Sequence, residues 1–304
     1  MVTATLPLRM RDGAVVPLAP PAHRPSQFGD FDIVAPLARG GMGGVYLAVH
    51  TWTGERVALK VLDLQYAGHP EVVERLLAEH ALASRVRHPG IVDIRGSYWT
   101  DDQVPYLVME YLAGETLGAI AERSALKLPS ILSICAQAAA ALAALHEAGV
   151  IHCDVKHDNL FVLDGGLDDG FGGRPRVKVI DFGVSRSIDE PPRDEPSVAG
   201  TPWCLAPEQW RGQPCPASDV YALGCVLYDL TTGHPPFDGS LTELMTAHLE
   251  HRPTRPSWVR PMPIALERLI LRSLAKRPEH RPAMPEVAVA LGALAGEGAA
   301  RRAG

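Results

Sequence analysis

An α+β fold is expected from three features of the chain. Its 304 residues suffice for two small domains or one two-lobed unit. Short strand-like runs crowd the stretch from Phe31 to Met109. Beyond it, helical periodicity takes over, first in the long apolar run from Pro129 to Leu145.

Residues 1–29 carry Pro17, Pro20, Pro21 and Pro25 without sustained periodicity, the composition of a mobile leader. Two strand-like runs follow, Phe31-Asp32-Ile33-Val34 and Leu37-Ala38-Arg39-Gly40-Gly41-Met42-Gly43-Gly44-Val45-Tyr46-Leu47-Ala48. Joined by glycines, they predict a hairpin whose backbone can approach phosphates closely. Alternation in Val57-Ala58-Leu59-Lys60 turns Ala58 and Lys60 to one side of a strand. Pro70 to Arg85 has helical spacing, with Pro70 suited to its start and Glu79 on its course. A lone helix glutamate is ordinarily a solvated charge. Strands are expected at Ile91 to Ile94 and Tyr106 to Met109, then the helix from Pro129 to Leu145, closed by Gly149. The acid-and-glycine run from Asp164 to Gly173 lacks the spacing of a calcium loop and predicts a long hairpin tip. Ser218 suits the cap of a helix through Gly224, and residues 295–304 are expected to be a frayed tail.

Composition narrows the function classes. The formal net charge of −6 argues against general electrostatic binding to nucleic acid. Five cysteines without paired spacing suit a reducing compartment, with the cytoplasm as the default. The apolar stretch from Ile131 to Ile151 is broken by Gln137, His146 and Glu147, so a buried helix is expected rather than a membrane span. The first residues lack an apolar run followed by a cleavage site, so no signal peptide is expected.

The chemistry concentrates between Ile151 and Gly183. Ile151-His152-Cys153-Asp154-Val155-Lys156-His157-Asp158-Asn159-Leu160 is followed, after the spacer, by Val179-Ile180-Asp181-Phe182-Gly183. Two carboxylates, an amide and an ammonium on short loops are the set that phosphoryl transfer needs. One carboxylate orients a hydroxyl, the other and the amide hold metal, and the ammonium offsets phosphoryl charge. A structural metal site built from His152, Cys153, Asp154 and His157 is the competing reading, but paired ligand spacing is missing.

Read together, these motifs resemble the catalytic and metal-binding loops of the protein kinase family, with Cys153 where the pattern has Arg. The segment Gly200-Thr201-Pro202-Trp203-Cys204-Leu205-Ala206-Pro207-Glu208 resembles the family's peptide platform. The wording of Gly40-Gly41-Met42-Gly43 and Ala206-Pro207-Glu208-Gln209 is similar to bacterial eukaryotic-like serine/threonine kinases. The resemblance covers roughly Phe31 to Leu294. It implies a kinase domain over residues 30–294, with a small antiparallel-sheet lobe carrying one helix (about 30–112) and a larger, mainly helical lobe (about 113–294).

The resemblance also implies ATP, two Mg²⁺ ions and protein substrates bearing Ser or Thr. It makes Asp154 the base or orienter and Lys156 the γ-phosphoryl stabiliser, with Asn159 and Asp181 as metal ligands. Lys60, paired with Glu79, would position the phosphates. Leu37, Ala38, Arg39, Gly40, Gly41, Met42, Gly43 and Val45 would cover the nucleotide. Ala58, Met109, Glu110, Leu112 and Phe161 would line its base. Asp219 is implied as the holder of the catalytic loop's backbone, and Arg281 as the partner of Glu208. Two other classes share these motifs: a pseudokinase scaffold, and a small-molecule phosphotransferase, whose relatives generally lack the peptide platform.

Overall fold

The computed structural model describes residues 27–164, 176–190 and 200–303. The expected leader up to Ser26, most of the acid-and-glycine spacer and residues 191–199 lie outside the described residues. By internal packing the chain divides into two compact units. One runs to His80 and takes in Asp93–Leu112; the other holds Ala81–Val92 and everything from Ala113 onward.

The first unit is built on an antiparallel sheet. Its strands are β1 (Gln27–Phe28), β2 (Phe31–Arg39), β3 (Gly43–His50) and β4 (Arg56–Leu62). After helix α1 (Pro70–Ala83) come β5 (Ile94–Trp99) and β6 (Pro105–Glu110). The order across the sheet is β1-β2-β3-β4-β6-β5. Strand β4 is buried on both faces, through Val57, Leu59 and Val61 on one and Ala58 and Leu62 on the other, and Leu59 and Leu107 are fully enclosed. Gln27 and Phe28, expected within the leader, are strand residues that pair with Asp32 and Phe31.

Another strand boundary moves. Ile91 to Ile94 was expected as a strand, but β5 begins only at Ile94. Ile91 makes a single parallel bridge to Val179, and Val92 N–H donates to Val179 O. The apolar signal of Ile91 and Val92 therefore reports burial within the second unit, not a place in the sheet of the first.

The second unit continues with β7 (Gly114–Thr116), α2 (Leu117–Arg123) and α3 (Leu128–Glu147). Short strands β8 (Val150–Ile151), β9 (Leu160–Leu163), β10 (Val177–Val179) and β11 (Arg186–Ser187) follow. The remaining helices are α4 (Pro207–Trp210), α5 (Pro216–Thr232), α6 (Leu241–Glu250), α7 (Pro256–Val259), α8 (Ile264–Ser273) and α9 (Met284–Ala303). Helix α3 is long and apolar enough to cross a membrane by length and composition alone. Here Ile134, Cys135, Ala138, Leu142 and Leu145 are fully buried, and α3 packs against α5, α9 and β10 as a core helix.

Two end assignments also differ from expectation. Ser218 does not cap α5. Pro216, whose fixed φ suits the first helical position, makes Cys215 the cap, and Ser218 Oγ accepts the Cys215 N–H from the third position. Helix α9 runs on to Ala303 where a frayed tail was expected; Ala295, Ala299, Ala300 and Ala303 favour helix enough to offset Gly296 and Gly298.

Candidate active site

In the first unit, strand register decides which predicted residues share a surface. Ala38 lies opposite Val45, Val45 opposite Lys60, and Ala58 opposite Met109. Directly paired residues point to the same face, so one face of the sheet collects Ala38, Val45, Ala58, Lys60 and Met109. Lys60 Nζ reaches the carboxylate of Glu79 at 2.7 and 2.9 Å. Glu79 is only 2% exposed, so it is not the solvated charge a lone helix glutamate would be. Placed on α1 opposite Lys60, it fixes the ammonium's position.

The glycine hairpin is held by backbone. Gly40 N–H donates to Gly43 O at 2.8 Å, and Asp63 N–H donates to Met42 O at 2.9 Å. Gly43 is required by packing: a Cβ there would lie 2.0 Å from Val61 O. The side chains of Leu37 and Arg39 are largely exposed, and Arg39 pairs with Asp63 at 3.2 Å. Glu110 N–H donates to Asp93 O, while its carboxylate accepts the Asp93 N–H at 2.8 Å. The Glu110 side chain thus closes the β5–β6 end of the sheet.

In the second unit, the loop after β8 is tied down from below. Asp219, on α5, accepts the N–H of His152 and of Cys153, each at 2.9 Å, and His146 Nε2 at 2.8 Å. Burial alone would raise the Asp219 pKa; the bond to His146 and the charges and amides around it outweigh that and hold it below the usual carboxylate value. These bonds, with Gln209 Nε2 donating to Cys153 O at 2.8 Å, hold Cys153 at φ 68°. A left-handed residue other than glycine costs about 1–2 kcal/mol and persists where its surroundings over-determine it.

That anchoring presents Asp154. Its Oδ1 accepts the Thr201 hydroxyl at 2.8 Å, and its Oδ2 lies 2.9 Å from Lys156 Nζ and 3.1 Å from Asn159 Nδ2. Lys156 also donates to Thr201 Oγ1 at 2.9 Å, closing a triangle of carboxylate, ammonium and hydroxyl. Burial pulls the Lys156 pKa down, but the charge and hydrogen bond of Asp154 outweigh it and leave the pKa raised. Gly200, at φ 121°, lets the chain pass here, since a Cβ would meet Cys153 O at 3.0 Å and Leu205 Cδ2 at 2.8 Å.

Asn159 and Asp181 are brought together by the backbone: Ile180 N–H donates to Asn159 O at 3.0 Å. Asn159 spends its amide N–H groups on the Asp154 carbonyl and carboxylate, so any further contact falls to its amide oxygen, an acceptor. Asp181 is exposed and lies at φ 63°. An amide oxygen beside a carboxylate is the hard oxygen set that Mg²⁺ takes, so these residues fit that ion. Phe161, on β9, is half-buried opposite Lys178 and Thr116, and Leu112 is half-buried just before β7.

The competing metal site does not form. His152 Nδ1 accepts the Asp154 N–H, which leaves Nε2–H to donate to Ile180 O at 3.2 Å. Burial pushes the Cys153 thiol pKa up and keeps it a thiol, and His157 stacks on Trp203. Among the described residues no group of three or more His, Cys, Asp or Glu is placed to hold a metal. Sequence reasoning missed His146, Gln209 and Ser185, whose hydroxyl donates to His152 O at 3.1 Å. The one available signal was polarity within apolar surroundings, as with His146 in α3.

A loop pinned beneath a carboxylate, with an amide and a second carboxylate beside it, and separately a strand lysine paired with a helix glutamate, make up a set of groups suited to phosphoryl transfer. The protein kinase domain family matches residues 31–290, and the chain belongs to that family. It is 40% identical over 258 residues to serine/threonine-protein kinase Pkn1 of Myxococcus xanthus, covering 83% of this chain and 36% of that protein. Serine/threonine-protein kinase PknA of Mycobacterium tuberculosis is 36% identical over 254 residues, covering 81% of this chain and 56% of that protein. The chain thus spans about a third to just over half the length of these relatives. Among solved structures, the Mycobacterium tuberculosis PknI kinase domain superposes with a TM-score of 0.66 at 28% identity, covering 88% of this chain and 96% of that one. The fold is the protein kinase fold, as the motifs implied.

Proposed function

We propose that this chain is a protein serine/threonine kinase, with the kinase domain over residues 30–294. The observation that carries the reading is the triangle of Asp154, Lys156 and Thr201, joined by Asn159. ATP supplies the γ-phosphoryl group and Mg²⁺ offsets its charge. Asp154 orients the hydroxyl of a substrate Ser or Thr and takes its proton. Lys156, held charged by Asp154, stabilises the charge that develops on the transferred group. Asn159 and Asp181 hold metal. Lys60, fixed by Glu79, positions the nucleotide's phosphates, with the Leu37 to Val45 hairpin over them and Ala58, Met109, Glu110 and Leu112 along the base.

All five cysteines are unpaired, which supports a reducing, cytoplasmic setting for this activity. Every group with a chemical role is present, and no observation favours a scaffold that has lost catalysis. The test is transfer of labelled phosphate from ATP to protein substrates by purified chain, with Asp154→Asn and Asp181→Asn as controls. Transfer to Ser and Thr that both substitutions abolish, with unchanged melting behaviour, is expected. Near-normal transfer by Asp154→Asn would falsify the assignment.

A further inference from the structure

The segment from His251 to Arg272 is not used by the site, and its charge runs against that of the chain. It carries Arg252, Arg255, Arg260, Arg268 and Arg272 and one acid, Glu267, in a protein of formal net charge −6. That acid is withdrawn from the surface. Glu267 is 4% exposed; it accepts from the Ser257 hydroxyl and pairs with Arg255 at 3.3 Å. All five arginines remain exposed.

The same bonds set the apolar residues. By tying α7 to the first turns of α8, they hold Trp258, Val259 and Ile264 near one junction, 75%, 40% and 67% exposed. The Arg255 guanidinium lies 5.9 Å from the centre of the Trp258 ring. On α8, Ile264, Arg268 and Arg272 recur every four residues and share one exposed face. Pro253, Pro256, Pro261 and Pro263 restrict the backbone between them. This stretch sets an exposed tryptophan, valine and isoleucine among five exposed arginines, with Arg255 against the Trp258 ring. Water penalises the first set, and a nucleic acid or acidic peptide would engage chiefly the second.

We infer that the α7–α8 face is a docking surface for an anionic phospholipid bilayer. The arginines meet lipid phosphates while Trp258, Val259 and Ile264 enter the interfacial region. One lipid surface satisfies both sets at once: aromatic side chains favour the headgroup level, and cations are drawn to its negative potential. This is a peripheral contact, distinct from a membrane span.

The test is co-sedimentation of the full chain with vesicles of phosphatidylcholine alone or containing phosphatidylglycerol, at low and high salt. Binding is expected only to phosphatidylglycerol vesicles, and it should weaken as salt screens the arginines. Brominated lipid should quench part of the tryptophan emission, and Trp258→Phe should abolish that quenching. Trp258→Ser with Ile264→Ser, and separately Arg260→Glu with Arg268→Glu, should each lower partitioning at least about tenfold. These side chains are exposed, so circular dichroism, melting and kinase rate in the absence of vesicles should not change. No binding to anionic vesicles at low salt, or equal binding by all variants, overturns the proposal. Capture by immobilised polyglutamate without vesicle binding would assign the face to an acidic protein segment and overturn it too.

Discussion

Arg281→Met removes the most heavily bonded cation described in the second unit. Arg281 Nη1 and Nη2 reach the two carboxylate oxygens of Glu208 at 2.6 and 2.8 Å, and its side chain is fully enclosed. Its remaining donors go to the carbonyls of Ala275, Ala217 and Lys276. After substitution Glu208 keeps only the Ser218 hydroxyl, at 2.6 Å, as a strong donor. An uncompensated buried charge of this kind costs about 3–5 kcal/mol. For a domain of this size each kcal/mol lowers Tm by about 2–4 °C, so a fall of roughly 6–20 °C is expected. Urea denaturation followed by circular dichroism gives the free energy, and calorimetry gives Tm. Glu208→Gln in the same chain removes the stranded charge and should recover much of the loss, since a buried pair contributes little net stability over a neutral replacement. Phosphate transfer should fall as well, because Glu208 sits on α4 beside Gln209, which holds the catalytic loop at Cys153 O. A loss below about 1 kcal/mol, the range of an exposed ion pair, or no recovery in the double variant, would refute this reasoning.

Three further outcomes are expected. His248 is fully buried between the Tyr221 hydroxyl and Lys276, and burial, then the Lys276 charge, push its pKa down to about 4. The unfolded chain therefore binds its proton first, and stability should fall by up to about 3 kcal/mol as pH drops from about 6.5 to about 4, a slope that His248→Gln should flatten in denaturation midpoints. Asp219→Ala leaves two buried N–H groups without their acceptor; a loss of about 3 kcal/mol on denaturation, together with a large loss of phosphate transfer, is the expected result. Finally, Cys153 is buried and carries no charge to meet a phosphate added to a Ser or Thr between Ser185 and Thr201, while Arg186 is engaged by Glu190 at 2.9 Å. Phosphatase-treated chain, confirmed bare by mass spectrometry, should keep its rate; a loss of about a hundredfold, ~2.7 kcal/mol on the barrier, restored by rephosphorylation of Ser185, Ser187, Ser197 or Thr201, would overturn that expectation.

The sequence by itself determined the family, the order of elements and the identity of the chemical groups. Local chemistry was enough for these. Glycine runs, helix periodicity and the short loops from Ile151 to Gly183 carry their signals within a few residues. The pairing of Lys60 with Glu79 and of Glu208 with Arg281 was legible only through the family's order of motifs, because nothing local says that a helix glutamate is buried. The hold of Asp219 on the loop at His152 and Cys153 was legible in the same way; tertiary structure alone decided that His146 joins it and that Gln209 and Ser185 brace the same loop. It decided that Gly43 is needed for the approach of β4, that Ile91 and Val92 belong with the second unit, and that Pro216 moves the start of α5. It also placed Trp258 and Ile264 outside while Glu267 went in, although all three sit in one short stretch. The physical reason is the same throughout. A buried polar group must find a partner, and that partner lies tens of residues away, where neither periodicity nor composition can point to it.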